Sequence, residues 1–352
     1  MDGSKSKPPL KKGKSGNVGI RDVARAAEVS TATVSRALNR PESVSPELRS
    51  KIQRVIDEIG YIPDASARAL SSRRTRTIGA IVPTVDNAMF AQGLQALQSY
   101  LAGKNYQLLL STSQYDLEVE LEQARNLIER GVDALILRGD ARHPMLRRLL
   151  EAHGLPIVNV GVYDPGKPNP SIGVDNADAG RALARYITGL GHRKVAIVAA
   201  MQRNNDRAQA RERGILDVLE EVGAAPPDHW RLHVNYNLDE AGNAARALLS
   251  SPERPTAIIC GNDVIAYGVT LAAIRMGIDV PGDLSVAGFD DLDWSRHLIP
   301  SLTTIHMPTD EIWIKAGQYL TDTLEGHTPM KHQKMDFSLV VRESTAPPRP
   351  AA

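Results

Sequence analysis

Arg36 has the most specific recognition chemistry in this sequence, because a guanidinium group can donate two hydrogen bonds to the edge of a guanine in the major groove of DNA. Thr33 and Ser35 lie beside it, and their hydroxyl groups suit contacts to phosphates or bases. The sequence contains no GxSxG elbow, no HExxH helix and no G-x-G-x-x-G turn after a strand. We therefore expect no enzyme, no catalytic residues, no cofactor and no metal site.

Three short helices are predicted to position this side chain. Apolar residues between 20 and 27 recur at the i, i+3, i+4, i+7 spacing of one helical face. After a short break, Ser30 can accept the free amide hydrogens of a second helix over 31–38. A third helix begins after Ser45 and ends at Gly60. This is the layout of a helix-turn-helix module. The alternative is a plain three-helix packing unit with solvated polar faces, which would show the same pattern.

The charge of the chain is unevenly distributed, although the formal net charge is only +1. Residues 1–76 carry a net charge of +8, and the remainder carries −7. A basic head on an acidic body is typical of a nucleic-acid module joined to a separate binding domain. A lysine-rich tail over residues 1–16 inflates the count, and without it residues 17–76 still carry +4.

The composition excludes several other classes of protein. A length of 352 residues predicts two or three domains, and 42% hydrophobic residues with 24% charged residues is a globular composition. A single cysteine, Cys260, excludes an intramolecular disulfide and a structural zinc site built from cysteines. No apolar run approaches the roughly 20 residues that span a bilayer, and no apolar stretch follows the N-terminal lysines. We therefore expect a soluble, cytoplasmic protein.

The first 70 residues resemble the lactose-repressor and galactose-repressor family of bacterial transcription regulators. The segments that carry the resemblance, in the order and spacing of the family, are Val23-Ala24, Val29-Ser30, Thr33-Val34-Ser35-Arg36-Ala37-Leu38-Asn39, Val44-Ser45, Gly60-Tyr61-Ile62-Pro63 and Ala67-Arg68-Ala69-Leu70. The resemblance implies that three residues of the second helix read operator bases, namely Thr31, Ala32 and Arg36. It places a further set mostly against phosphates, namely Thr33, Ser35, Asn39, Ser45 and Tyr61.

The resemblance also implies a hinge helix over residues 65–70, which includes Arg68. In the family this helix orders on DNA in the dimer, and Leu70 looks like the leucine that is wedged into a minor-groove step and kinks the duplex. Asp64 departs from the family, because many members carry asparagine at this position.

From Thr77 onward, short apolar runs alternate with amphipathic helices, which predicts an α/β body of doubly wound parallel sheets in two subdomains. Ligands of such sheets bind beyond the carboxyl ends of the strands, so a cleft is expected between the subdomains. The predicted strands are 77–83, 107–112, 134–137, 157–161, 172–174, 195–199, 231–234, 257–261 and 284–289.

The resemblance continues through the body and implies the type I periplasmic-binding-protein fold. The expected divisions of the chain are a disordered basic tail (1–16), a helix-turn-helix domain (17–63), a hinge helix and linker (64–76), an effector-binding and dimerisation domain (77–345) and a disordered tail (346–352). Within the body we expect an N-subdomain of about 77–174 and 306–331, and a C-subdomain of about 175–305 and 334–345, joined by three crossings.

Several residues of the body are candidates for binding an effector. Arg211 matches the family arginine that grips a sugar hydroxyl or an anionic effector, and Asn262 and Asp290 match polar residues that close on the ligand. Tyr236 occupies a position that is often aromatic. Phe90 is expected to line the opposite lip, and loop position alone adds Arg138 and Asn205. The alternative for each candidate is a surface salt bridge. An arginine at 138 beside Arg211 favours a carboxylate or phosphate on the ligand.

The sequence and its family resemblance therefore predict a homodimeric, DNA-binding transcription regulator of the repressor type, controlled by a sugar or sugar acid. Its partners would be double-stranded operator DNA, the effector and a second copy of the chain, with no membrane involved. The proline-rich segment 345–350 carries no heptad, so a tetramerising coiled coil is not expected. The alternatives are a sugar-binding transport receptor, which would need export, and an α/β enzyme, which would need a catalytic set.

Overall fold

The computed structural model describes residues 18–63 and 74–350, and the chain divides into two units, Met1–Thr75 and Arg76–Ala352. The first unit is helical. Within residues 18–63 its helices are α1 (Ile20–Ala26), α2 (Thr31–Asn39) and α3 (Pro46–Ile59), with one short 3-10 turn at Pro41–Ser43.

Local capping explains where the helices of the first unit begin and end. The Ser30 hydroxyl accepts a hydrogen bond from the backbone amide of Thr33 at 3.0 Å, and the Ser45 hydroxyl accepts one from Leu48 at 3.3 Å. Helix α3 ends at Gly60, whose φ of 66° is the left-handed conformation that glycine adopts without strain. These three capping predictions are confirmed. The buried core of the unit is small, and consists of Val23, Ala24, Ala27, Val34, Ala37, Ile52 and Ile56.

The second unit contains two six-stranded sheets. The first has the strand order β11-β5-β4-β3-β1-β2, with all its pairs parallel. Its strands are β1 (Thr77–Val82), β2 (Gln107–Thr112), β3 (Ala134–Arg138), β4 (Ile157–Val160), β5 (Ser171–Gly173) and β11 (His332–Lys334). Four helices accompany this sheet: α4 (Ala88–Gly103), α5 (Leu117–Glu129), α6 (Pro144–His153) and α11 (Thr309–Leu324).

The second sheet has the order β12-β10-β9-β8-β6-β7, and only the β10–β12 pair is antiparallel. Its strands are β6 (Val195–Ala200), β7 (Arg231–Val234), β8 (Ala257–Cys260), β9 (Ser285–Asp290), β10 (Thr303–His306) and β12 (Ser338–Val340). Its helices are α7 (Asn176–Gly189), α8 (Asp206–Glu221), α9 (Leu238–Leu249) and α10 (Asp263–Arg275), with 3-10 turns at Asp228–Trp230 and Asp293–His297. No helix within the described ranges has the length and apolar character that a membrane crossing requires.

The predicted fold class is confirmed, because each sheet with its helices forms one subdomain of an α/β body. The chain crosses between the subdomains after β5, after β10 and after β11. One expected boundary is wrong, because Lys334 was assigned to the C-subdomain but pairs with Gly173 in the first sheet. Three strands, β10 to β12, lie outside the predicted nine. They have only three or four residues each, too few to show a period in the sequence.

The C-terminal segment corrects a second expectation, since residues 346–350 are ordered rather than a disordered tail. The backbone of Ala346 bonds to two side chains of the second sheet's subdomain: its amide donates to Ser285 at 3.0 Å, and its carbonyl lies 2.9 Å from His192 Nε2. Arg349 forms ion pairs with Asp279 and Asp283. The local composition of this segment predicts disorder, because composition contains no information about bonding partners that are distant in the sequence.

Helices α7 and α8 approach each other so closely that only glycine fits at their contact. A Cβ added at Gly180 would overlap the carbonyl oxygen of Arg211, and one added at Gly214 would overlap that of Ala177. This backbone contact sets the position of Arg211 on α8.

We predict that Gly214→Ala destabilises the protein by about 1–3 kcal/mol, because the added methyl group must push two helices apart. Gly189→Ala is the matched control, since a Cβ at this last residue of α7 would meet nothing within 4 Å. Denaturant unfolding of both variants tests this, and equal stability of the two would contradict the close contact.

Candidate functional sites

Helix α2 presents at the surface the three residues that were predicted to read bases. Thr31, Ala32 and Arg36 are exposed, whereas Val34 and Ala37 on the opposite face are buried in the core of the first unit. The Arg36 Nε donates to the carbonyl of Ala32 at 3.4 Å, which directs the side chain along its own helix. A helix with one buried face and an exposed arginine is suited to enter a major groove.

The residues predicted to contact phosphates are in more varied positions. The hydroxyls of Thr33 and Ser45 take part in helix capping, and Ser35 accepts a hydrogen bond from Asn39 at 3.2 Å. Tyr61 is half-buried against the core of the first unit. The oxygens of Ser35 and Ser45 act as acceptors in these contacts, so their hydroxyl hydrogens remain able to donate to a phosphate oxygen. The remaining two predicted residues, Arg68 and Leu70, lie outside the described residues.

Arg211 is a buried cation near the carboxyl ends of the strands of the second sheet, on the side that Tyr115 and Arg138 of the first subdomain approach. We call this region the crevice. Arg211 lies on α8 and is only 8% exposed. Its guanidinium donates to the carbonyl of Gly261 and, at 3.3 Å, to the side chain of Asn176, and its Cζ lies 3.4 Å from the centroid of the Phe289 ring. Burial lowers the pKa of Arg211, and the charge of Asp290 opposes that shift. Stacking and hydrogen bonding thus keep a cation in a site that water does not reach.

Asp290 and Asn262 are buried beside Arg211 and carry polar atoms without partners. Asp290 Oδ1 and Asn262 Nδ2 have no hydrogen-bond partner among the described residues, and the same is true of Arg211 Nε. Burial raises the pKa of Asp290 to about 6, while Arg211 and Arg138 act in the opposite direction. A buried polar atom without a partner costs about 1–3 kcal/mol, so such atoms gathered in one crevice indicate a ligand-binding site.

The backbone at Asp290 is held in an unusual conformation. Asp290 and Asp291 have φ values of 109° and 55°, which cost an L-residue about 1–3 kcal/mol each. Asp291 is tied by an ion pair with Arg342 at 2.7 Å and by a contact with His306 at 3.0 Å. These ties hold the strained turn that directs the Asp290 carboxylate into the crevice.

Asp263 lies directly behind Asn262 and is a structural anchor. It accepts hydrogen bonds from the backbone amide of Leu292 at 2.8 Å, and from the hydroxyls of Ser295 and Thr304 at 2.6 Å each. Burial and the charge of Asp290 raise its pKa to about 7. Because Asp263 begins α10 and its bonds reach Leu292, the Asp293–His297 turn and β10, it joins the start of α10, next to Asn262, to the segment that follows Asp290.

Arg138 and Phe90 belong to the first subdomain, and one of the two predictions needs correction. Arg138 ends β3, and its Cζ lies 5.4 Å from the centroid of the Phe90 ring. Burial lowers the pKa of Arg138 to about 10, with a further lowering by Arg207. Phe90 is 1% exposed in the core, so it supports Arg138 from below and does not form an exposed lip of the crevice.

Asn205 and Tyr236 line the crevice from the second subdomain. Asn205 is buried, and all its polar atoms are engaged: Oδ1 caps α8 at Ala208, and Nδ2 donates to Met201 and to the Tyr236 hydroxyl at 3.2 Å each. In this structure these bonds use both polar atoms of the Asn205 side chain, and its contact with a ligand stays a prediction. The Tyr236 ring stacks on Tyr115 of the first subdomain with centroids 6.2 Å apart.

Four residues of the crevice escaped prediction from the sequence: Tyr115, Asn176, Arg207 and Phe289. The family resemblance and the helical spacing of the sequence could have identified three of these residues. Asn176 and Phe289 lie within segments that carry the family resemblance, and Arg207 precedes Arg211 by one helical turn on α8. Tyr115 follows the carboxyl end of β2 with a φ of 61°, a position that local patterns do not reveal.

A possible metal-ligand group among the described residues consists of Asp322, Glu325 and His327 at the end of α11. Two of its three members are exposed, and acidic side chains at a surface commonly gather without an ion. We assign it no function.

Comparison with known proteins matches both units. The model of the family described as "Bacterial regulatory proteins, lacI family" matches residues 19–64, and that of a "Periplasmic binding protein-like domain" matches residues 184–345. An HTH-type transcriptional repressor PurR from Salmonella paratyphi B is 33% identical over 310 residues, which span 87% of this chain and 90% of that protein.

Solved structures are similar over nearly the whole chain. The Lac repressor dimer bound to operator and the anti-inducer ONPF has a TM-score of 0.84 at 26% identity, covering 94% of this chain and 99% of that one. A LacI-family regulator from Silicibacter pomeroyi has a TM-score of 0.83 at 26% identity, covering 93% and 99%. A complex of the transcriptional regulator CelR with cellobiose has a TM-score of 0.68 at 26% identity, covering 93% and 100%.

The raised pKa of Asp290 predicts a specific pH dependence of stability. The folded protein binds this proton more tightly than the unfolded chain, so the contribution of Asp290 to the free energy of unfolding is full below its ordinary pKa of 3.8 and is lost as pH rises through about 6. Between pH 5 and pH 7.5 the wild type should therefore lose on the order of 1 kcal/mol of stability relative to Asp290→Asn, which cannot titrate at this position and also removes a charge that raises the pKa of Asp263.

Denaturant unfolding of the two proteins at both pH values measures this difference. Asp217→Asn is the control, because it removes an exposed carboxylate from α8. If the wild type and Asp290→Asn keep a constant difference in stability at the two pH values, the raised pKa is wrong.

Proposed function

This chain belongs to the lacI family of bacterial regulatory proteins and is a DNA-binding transcriptional regulator, and on that basis we propose how it recognises its operator and its effector. The observation that supports the proposal most is the pair of family matches. One covers a helix-turn-helix head over residues 19–64, and the other a binding-protein-like body over 184–345. A repressor role is supported by the PurR and Lac repressor relatives. The head favours a regulator over a transport receptor, since a receptor has no need of it.

In the proposed DNA complex, α2 enters the major groove and Arg36 donates to a guanine. Thr31 and Ala32 offer small side chains at the same exposed face, so base discrimination depends mainly on Arg36 and on methyl contacts. The hydroxyls of Thr33, Ser35 and Ser45 and the side chains of Asn39 and Tyr61 supply phosphate contacts, which set the register of the head.

The proposed effector binds in the crevice between the subdomains of the body. Two guanidinium groups, one amide and one carboxylate face it with unpaired atoms, namely Arg138 Nε, Arg211 Nε, Asn262 Nδ2 and Asp290 Oδ1. A set of three donors and one acceptor suits a small molecule rich in hydroxyl groups, with the arginines able to bind a carboxylate. We therefore infer a sugar or sugar acid. The binding of cellobiose by the relative CelR supports this class of ligand.

A homodimer is the proposed assembly, because two heads can read the two halves of a near-palindromic operator. The Lac repressor relative was solved as a dimer on its operator. Such a protein acts where the chromosome is, so we place it in the cytoplasm. Effector binding would change operator affinity by altering how the two subdomains close, which couples the two sites reciprocally.

The DNA proposal predicts that Arg36→Ala lowers affinity for the specific operator by about 10- to 100-fold, because one bidentate base contact is worth about 1–3 kcal/mol. The operator would first be selected from a random duplex library with the wild-type protein, and affinities then measured by gel shift over a range of salt. Arg125→Ala is the matched control, since it removes an exposed arginine from the body. An Arg36→Ala protein that still prefers the selected duplex to random DNA as strongly as the wild type would refute the base contact.

The effector proposal predicts that a member of a sugar and sugar-acid panel stabilises the wild type in a thermal-shift assay. The panel should pair D-glucose with D-gluconate and D-galactose with D-galacturonate, because the pairs separate hydroxyl recognition from carboxylate recognition. A ligand present at 100 times its Kd stabilises by about 2.7 kcal/mol.

Arg211→Ala should abolish this stabilisation while the protein still binds the selected operator, since the head is unchanged. Arg125→Ala again serves as the control and should retain the full shift. If Arg211→Ala is stabilised as much as the wild type by the same ligand, the crevice is not its binding site.

A further inference from the structure

Asp206 is a partly buried carboxylate at the edge of the crevice, and it is not one of the proposed effector-binding residues. It is the first residue of α8, in the second subdomain, and one of its oxygens points out of that subdomain. This oxygen, Oδ2, accepts hydrogen bonds from the backbone amides of Asp140 at 2.6 Å and Ala141 at 3.3 Å. Both amides lie in the loop after β3, which belongs to the first subdomain. Asp206 therefore bonds directly across the crevice.

The second carboxylate oxygen of Asp206 is held from its own subdomain. Oδ1 accepts hydrogen bonds from the backbone amide of Arg207 at 2.9 Å and from its guanidinium Nη1 at 2.7 Å. Arg207 is only 5% exposed, because its guanidinium packs on the backbone of Gly139. A Cβ at Gly139 would overlap both this guanidinium and the Asp206 carboxylate, and the φ of 72° at this position also requires glycine. The loop is thus shaped to receive the Asp206–Arg207 pair.

Further contacts join the same two edges of the crevice. The side chain of Asn204 donates to the carbonyl of Tyr115 at 2.9 Å, and the Tyr115 ring stacks on Tyr236. These contacts involve one neutral hydrogen bond and one ring pair. The bonds of Asp206 are charge-assisted, and such bonds are about twice as strong as neutral ones. The carboxylate is therefore the strongest of these ties.

We propose that Asp206 is a latch that holds the two subdomains closed, and that it sets the ratio of closed to open protein from outside the effector pocket. Its carboxylate bridges the amides of the loop after β3 and Arg207 on α8, so opening the crevice must break both of its bonds to the first subdomain. An effector that requires the closed form has an apparent affinity proportional to the closed fraction. The latch would thereby tune the response of the regulator without touching its ligand.

Hydrogen–deuterium exchange of the full-length protein, without DNA or any effector, tests the latch in two variants, Asp206→Ala and Asp206→Asn. Loss of the charge-assisted bonds should speed amide exchange by about 10- to 100-fold in Asp206→Ala, and by less in Asp206→Asn, which keeps one neutral acceptor. The faster exchange should appear both in peptides covering 139–142 and in those covering 113–117, because opening of the crevice exposes both edges together.

The matched control is Asp239→Ala, which removes an exposed carboxylate from the first turn of α9 in the same subdomain. It should leave exchange in both peptides unchanged. Faster exchange confined to residues 139–142 would overturn the proposal, because Asp206 would then order only its own loop. Unchanged exchange in both peptides would overturn it as well. Denaturant unfolding of each variant separates crevice opening from loss of the whole fold, and neither outcome bears on the DNA or effector proposals.

Discussion

The burial of a cation at Arg211 is the constraint on which the body of this protein depends. A guanidinium removed from water is stable only where donors meet acceptors and a countercharge is near. Here Gly261 and Asn176 accept its hydrogen bonds, the Phe289 ring lies against its face, and Asp290 supplies the opposite charge. The close contact of α7 with α8 at Gly180 and Gly214 helps to hold Arg211 at this depth.

The walls of the crevice are held more firmly within each subdomain than across the gap between the subdomains. The side of the second subdomain is tied internally, since Asp263 joins three of its elements and Arg342 holds the strained turn at Asp291. The described ties between the subdomains are mainly polar. They include the bonds of Asp206, the bond from Asn204 to Tyr115 and an ion pair between Lys334 and Asp178 at 3.5 Å, besides the stack of Tyr115 on Tyr236. Polar contacts of this kind exchange readily with water, so the subdomains can part as intact bodies while the pocket residues keep their geometry.

Some features of this protein depend only on residues that are neighbours in the sequence, and these features could be predicted. Ser30, Ser45 and Gly60 could be assigned as helix boundaries because capping depends on neighbouring residues alone. Arg211 and Asp290 could be assigned as crevice residues through the family resemblance, and the structure brings both together. Phe90 was expected at the lip although it is in the core, and the capping bond of Asn205 was not foreseen. Both features depend on which way the side chain points, and the sequence does not give that direction.

Sequence alone therefore established the class of this protein: a basic helix-turn-helix head, an α/β body in two subdomains, and the arginine at its centre. The head and the body follow from charge, periodicity and short motifs, which are properties of neighbouring residues, and the arginine follows from the family resemblance. Folding in three dimensions decided the rest, including the ordered segment 346–350, the Tyr115–Tyr236 stack and the bond from Asp206 to Asp140. Their partners lie from 60 to more than 150 residues apart, and such pairs leave no mark on either stretch of sequence by itself.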